Sequence, residues 1–156
     1  MDGVETLLAI EAIKQLKARY FRLMDNKDWA GLRDVFCDDA LFDARASLSI
    51  DGKGDEGRAV ESNDWVYEGG DTIIAFIQAA IGTQRTVHHG HCHEVEIIGP
   101  DDARGVIAME DQIWDENGTS MTLHGCGHYH EDYKRVDGRW RIHRSRISRL
   151  QVMIGG

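Results

Sequence analysis

The 156-residue sequence predicts an α+β fold in which helices come first and a meander of antiparallel strands follows. Two observations carry that prediction. In the first third, apolar residues recur every three or four positions, the spacing of helices with one buried face. The second half holds β-patterned runs separated by turn signals at Gly99-Pro100-Asp101-Asp102, Asn117-Gly118 and Asp137-Gly138. The helices are expected to pack on one face of a curved sheet, and residues 1–156, with no composition break, read as a single domain.

From Glu5 to about Met24, Leu7, Ile10, Ile13, Leu16, Tyr20 and Leu23 form the apolar stripe of a first helix, with Lys14, Lys17 and Arg19 on its wet side. Asp28 is a natural N-cap for a short second helix from Trp29 to about Cys37. Ala40 to Ala46 predicts a short strand. Ser47 to Asn63 is polar, Gly-rich and aperiodic, a long loop whose length fits a lid or binding segment and, equally, plain disorder. After Trp65 to Glu68, Gly69 and Gly70 lead into a third helix, Asp71 to Ile81, striped by Ile73, Ile74, Ile77 and Ile81. Four long strands complete the chain: about Thr86 to Ile98, Ala103 to Asp115, Thr119 to Val136 and Arg139 to Met153.

Lys plus Arg number 18 against 27 Asp plus Glu, and a formal charge of −9 repels phosphate backbones and anionic bilayers. Nucleic acid and membranes are therefore excluded as partners. The acidic N-terminus and the lack of a membrane-length apolar run predict a cytoplasmic protein. Cys37, Cys92 and Cys126 form no CxxC pair, so neither a disulfide framework nor a thiolate zinc site is expected. A chain of this size buries about two-thirds of its surface and has room for an internal pocket.

The stretch from Thr86 to Ile98 holds His88, His89, His91 and His93, half of the eight histidines. Histidine there suggests proton transfer or metal ligation. Pairing Ile98 with Ala103 sets Gly90 opposite Asp111, with His88 diagonal to it; pairing Glu116 with Thr119 sets Asp111 opposite His124. A two-residue Asp137-Gly138 turn pairs Cys126 with Arg149. One face then gathers His88, Asp111, His124 and Arg149 at roughly 5 to 8 Å. The same arithmetic sends Val95, Ile97, Trp140 and Ile142 to the opposite face, so at least one bulge must intervene. His88 is the candidate base, because a carboxylate and an arginine converge on it. His91 is a possible pocket neighbour and His89 and His93 are expected outside, roles that a bulge near Gly90 would exchange.

Taken alone, Asp25 reads as a turn carboxylate and Tyr20 as a core tyrosine. A metal reading rests on His91-x-His93 and His128-x-His130, since alternate strand residues face the same way. GHCHEVEIIG is also similar to the first cupin motif, but the glutamate expected downstream falls near Ile97 or Ile98 and the second motif is missing.

The segments IEAIKQLKARYFRLMDNKDWAGL, VHHGHCHEVEI, ARGVIAMEDQIW and DYKRVDGRWRIHRSRISRL resemble the SnoaL-like branch of the nuclear transport factor 2-like superfamily. The likeness is greatest to bile acid 7α-dehydratases, with scytalone dehydratase and hexachlorocyclohexane dehydrochlorinase more distant. It implies a cone-shaped curved antiparallel sheet, an α+β barrel, wrapping the N-terminal helices around a deep apolar pocket. It also implies catalytic roles for Tyr20, Asp25, His88, Asp111 and Arg149, and overturns the bland readings of Tyr20 and Asp25. His91, His124, Trp65 and Met109 are expected to contact substrate. The function expected is a lyase (dehydratase) or isomerase that needs no cofactor or metal. Its substrate is an apolar polycyclic or aromatic carbonyl compound, and it works by His-based proton abstraction. A noncatalytic binding or assembly module, such as an oxygenase small subunit, and a His-x-His metalloenzyme are the alternatives. The resemblance further implies a homo-oligomer, a trimer ahead of a dimer.

Overall fold

The computed structural model describes residues 1–49, 60 and 62–155. Helix α1 spans Gly3–Asp25, α2 Trp29–Asp34 and α3 Gly70–Ile81; strands are β1 Phe36–Asp43, β2 Val66–Glu68, β3 Arg85–Gly99, β4 Asp102–Trp114, β5 Met121–Val136 and β6 Arg139–Ile154. Most of the predicted Ser47 to Asn63 loop lies outside the described residues. Among those described, no helix is long and apolar enough to cross a membrane.

Helix α1 starts at a capping box, in which Asp2 accepts from the Glu5 N–H and the Glu5 side chain accepts from the Asp2 N–H. It buries Ala9, Ile13, Leu16, Lys17, Tyr20, Phe21 and Met24. This face is rotated from the predicted stripe: Leu7 is exposed, while Lys17, expected in water, is fully buried. Position explains the difference, because Ile13, Lys17, Tyr20 and Met24 are spaced to share one side of a helix. Helix α2 ends before the expected Cys37, and β1 begins at Phe36 rather than Ala40. Phe36 aligns with Ile142, whose N–H donates to the Val35 carbonyl, so pairing with a distant strand ends the helix.

The sheet order is β2-β1-β6-β5-β4-β3. Strands β3 to β6 form the predicted antiparallel meander, while β1 runs parallel to β6. Edge strands β2 and β3 do not pair with each other, so the curved sheet is an open cone and not a closed barrel.

Five local features shift the predicted register. The β4–β5 connection is longer than a two-residue hairpin, because Asp115 accepts from both the N–H and the hydroxyl of Thr119, and Trp114 pairs with Met121. Bulges break the ladders at Cys92 and at Ile98 against β4, and between Cys126 and Gly127 and between Asp132 and Tyr133 against β6. Cys92 takes a left-handed φ of 34°, the strained backbone of the first bulge. Consequently His88 sits directly opposite Asp111, Asp111 opposite Gly125, and Arg149 opposite Gly127. Past Cys92 the inward parity reverses, which returns Val95 and Ile97 to pack against the core. Trp140 and Ile142 are likewise buried in it. Tyr20, Phe21, Phe36 and Tyr129 meet mostly edge-on between α1 and the sheet, at centroid separations of 5.4 to 5.9 Å.

Candidate active site

Asp25 closes α1 and reaches the free edge of β3. Its Oδ2 accepts the His88 backbone N–H at 2.8 Å, and its Oδ1 lies 2.6 Å from His88 Nδ1. A carboxylate only accepts, so in the neutral imidazole Nδ1 carries the proton and Nε2 the lone pair. Two bonds to one residue hold both the strand edge and the imidazole plane. Thr86, one inward position before His88, donates to Asp25 Oδ1 at 2.9 Å and accepts from Lys27 Nζ at 2.8 Å. The Phe21 ring stacks on His88 at 14°. Nothing in the sequence alone marks Lys27 or Phe21 as site residues; the one usable signal is that Thr86 lies two residues before His88 on a strand.

Asp111 is buried and gives both oxygens to Arg149, accepting from Nη1 at 2.7 Å and from Nη2 at 2.9 Å. Arg149 Nε donates to the Ser47 carbonyl at 2.7 Å, and Nη1 also contacts Met109 Sδ. The arginine is thus half of a neutral forked pair rather than a free cation, and Asp25 rather than Asp111 orients His88. Gly125 leaves room for the fork: a Cβ there would lie 2.6 Å from Arg149 Nη1 and 2.7 Å from Asp111 Oδ1. Gly125→Ala is expected to destabilise the protein by about 1–3 kcal/mol through this overpacking, read as a lower urea midpoint. An unchanged midpoint would show that the pair can move aside.

Beside these groups lies a largely apolar cavity of about 290 Å³, lined among others by Tyr20, Phe42, Trp65, Phe76, Ile81, His88, Asp111, Ile113, Leu123 and Arg149. Burial, with the Tyr129 hydroxyl nearby, holds the Tyr20 phenol well above its usual range, so it stays a protonated donor. Beneath it the fully buried Lys17 ammonium donates to Glu131 at 2.6 Å and lies 3.7 Å from the Tyr20 ring centroid and 3.6 Å from that of Tyr129. Tyr133 and Ser145 donate to the same carboxylate. A larger open groove, about 840 Å³, crosses charged residues such as Glu94, Glu96 and Arg104, apart from His88.

Of the residues expected at the site, Tyr20, Trp65, His88, Asp111 and Arg149 line the cavity, and Asp25 holds His88 from its edge. Met109 lies behind Arg149 and not among the cavity-lining residues. His91 and His124 are corrections: both lie on the outer face of the sheet, His91 half exposed and His124 bonded to Glu110 at 2.8 Å. The register moved by one residue at His124, which flips a strand side chain to the other face. His93, expected outside, turns inward after the Cys92 bulge, and its Nε2 is buried with no partner among the described residues. His91 and His93 therefore face opposite ways, and that His-x-His pair cannot share a metal.

The model of the SnoaL-like domain matches residues 5–146. The chain is 28% identical over 145 residues to "Probable cyclase FGR4" of Gibberella zeae, with 91% of each chain covered. In structure it resembles a scytalone dehydratase-like protein from Novosphingobium aromaticivorans (TM-score 0.78, 16% identity, 99% and 93% of the two chains). It also resembles hexachlorocyclohexane dehydrochlorinase from Novosphingobium barchaimii (TM-score 0.74, 16% identity, 99% and 95%). At these identities the two structures speak for the fold alone.

Proposed function

From the premise that this chain belongs to the SnoaL-like domain family, we propose that it is a lyase or isomerase whose base is His88, acting on a small apolar carbonyl compound. The observation that carries the reading is the Asp25–His88 contact of 2.6 Å at the wall of an apolar cavity. Asp25 fixes the Nδ1–H tautomer and leaves Nε2 as the proton acceptor. Abstraction of a proton from the carbon beside the carbonyl moves its electron pair into an enolate, whose oxygen Tyr20 stabilises by donating a hydrogen bond. In a dehydratase the electrons then form the C=C bond as the β-hydroxyl leaves, protonated by the imidazolium; in an isomerase the same proton returns to another carbon. No step needs a cofactor. The Asp111–Arg149 pair supplies a fixed dipole in the wall, with little net charge to offer. The name of the sequence relative, a cyclase, favours chemistry that makes or breaks bonds at carbon.

A cavity of about 290 Å³ is roughly twice one that holds a single benzene, which favours one- or two-ring compounds over larger polycyclic ones. The test uses the wild-type protein in heavy water with a panel of monocyclic and bicyclic ketones, followed by proton NMR. Enzyme-dependent loss of the signal beside the carbonyl is expected for at least one bound ketone. Binding without exchange across the panel would sink the reading and leave a ligand-binding module.

A further inference from the structure

Five of the eight histidines, His89, His91, His124, His128 and His130, project from the outer face of β3 and β5, away from the cavity. Glu110 of β4 is the hub of one group of them. It lies directly opposite His89, its Oε2 is 4.0 Å from His91 Nε2, and its Oε1 is 2.8 Å from His124 Nε2. His89 and His91 are alternate residues before the Cys92 bulge and so share a face, with rings 6.1 Å apart. One ligand atom from each of His89, His91 and Glu110 lies within 4.8 Å of the others.

We infer that His89, His91 and Glu110 form a binding site for a divalent transition metal of the zinc class on the outer face of the sheet. Two imidazoles and a carboxylate match the donor types such ions take, at about 2.0–2.2 Å. Tetrahedral ligands around zinc stand roughly 3.3 Å apart, so half-exposed side chains need only turn by about an ångström to close on the ion. His124 is a positioning residue: it holds the carboxylate oxygen that faces away from His91, as outer-shell partners of metal ligands do. Three protein ligands leave at least one coordination position open. The strands stand between this site and His88, so it is independent of the proton-transfer chemistry proposed above.

The experiment is a calorimetric titration of untagged, chelator-treated protein with zinc alone, paralleled by cobalt(II) read through its visible d–d bands. One zinc per chain is expected. Glu110→Gln and, separately, His91→Gln should each weaken binding about 100-fold or more, and His124→Gln by about tenfold or more. His128→Gln, on the same face but outside the group, should change it less than about twofold. The His91 side chain is 53% exposed, so its substitution removes a ligand without touching the core. Absence of saturable binding, a stoichiometry other than one, or equal loss in His128→Gln would overturn the site. Failure here leaves ketone exchange untouched, and failure of ketone exchange leaves zinc binding untouched.

Discussion

His88→Ala is expected to abolish deuterium exchange beside the carbonyl of a bound ketone while leaving ketone binding in place, and Asp25→Asn to slow that exchange about 10³–10⁴-fold. The alanine removes the proton acceptor itself. The asparagine acts more subtly. Its amide oxygen can still accept the His88 N–H or the Thr86 hydroxyl, so the edge of β3 stays pinned. Its NH₂ group, however, presents a donor to Nδ1, which drives the ring proton to Nε2 and blocks the atom that must accept from substrate. A loss of 10⁴ corresponds to about 5 kcal/mol of barrier. A merely structural role for Asp25 would lower stability without changing the tautomer, so the nitrogen-15 shifts of the His88 ring separate the two. Exchange rates unchanged in either variant would remove His88 from the role of base.

Glu131→Gln is expected to cost about 3–5 kcal/mol of stability, measured by urea unfolding, because it leaves a fully buried ammonium without its counter-charge. Tyr133 and Ser145 can still bond the amide, so the loss reports on Lys17. The double variant Lys17→Met with Glu131→Gln should recover part of it. The pH dependence has a definite sign. Burial lowers Lys17 from its ordinary 10.5 to about 8 in the folded protein, against the pull of Glu131. Between those values the unfolded chain holds a proton that the folded chain has released, so this group makes stability rise with pH across the window and fall as pH drops through about 8. Without Glu131 the folded chain releases that proton at lower pH, and the rising limb should extend toward neutrality in Glu131→Gln. A cost under about 1 kcal/mol would show that Lys17 is not held by charge.

Legibility in the sequence followed the range of the interaction. The helix of residues 3–25, the order of helices before strands and the four-strand meander were all readable, since each depends on neighbours a few positions apart. The convergence of His88 with Asp111 and Arg149 was readable only as parity. The sequence pairing put Asp111 opposite His124, and the structure puts it opposite Gly125, yet His88 and Asp111 share the inner face in both. His124 departs from its expected place because a one-residue slip reverses a strand face, His93 because nothing local announces Cys92 as a bulge, and His91, three residues from His88 with no bulge between them, follows plain alternation to the outer face. The burial of Lys17 is not legible in the sequence, because a lysine on a helix looks solvated until a carboxylate 114 residues away is brought to it.

By itself, then, the sequence determined the α+β class, the elements and the residue types available for acid–base chemistry. Those follow from period, capping and turn preference, which act over a few residues. Only the tertiary structure decided that Asp25, 63 residues from His88, fixes the imidazole, that Arg149 is spent on Asp111, and that the outward histidines gather around Glu110. Each of those facts depends on where two distant strands or a strand and a helix end meet. That meeting is set by long-range register, bulges and core packing.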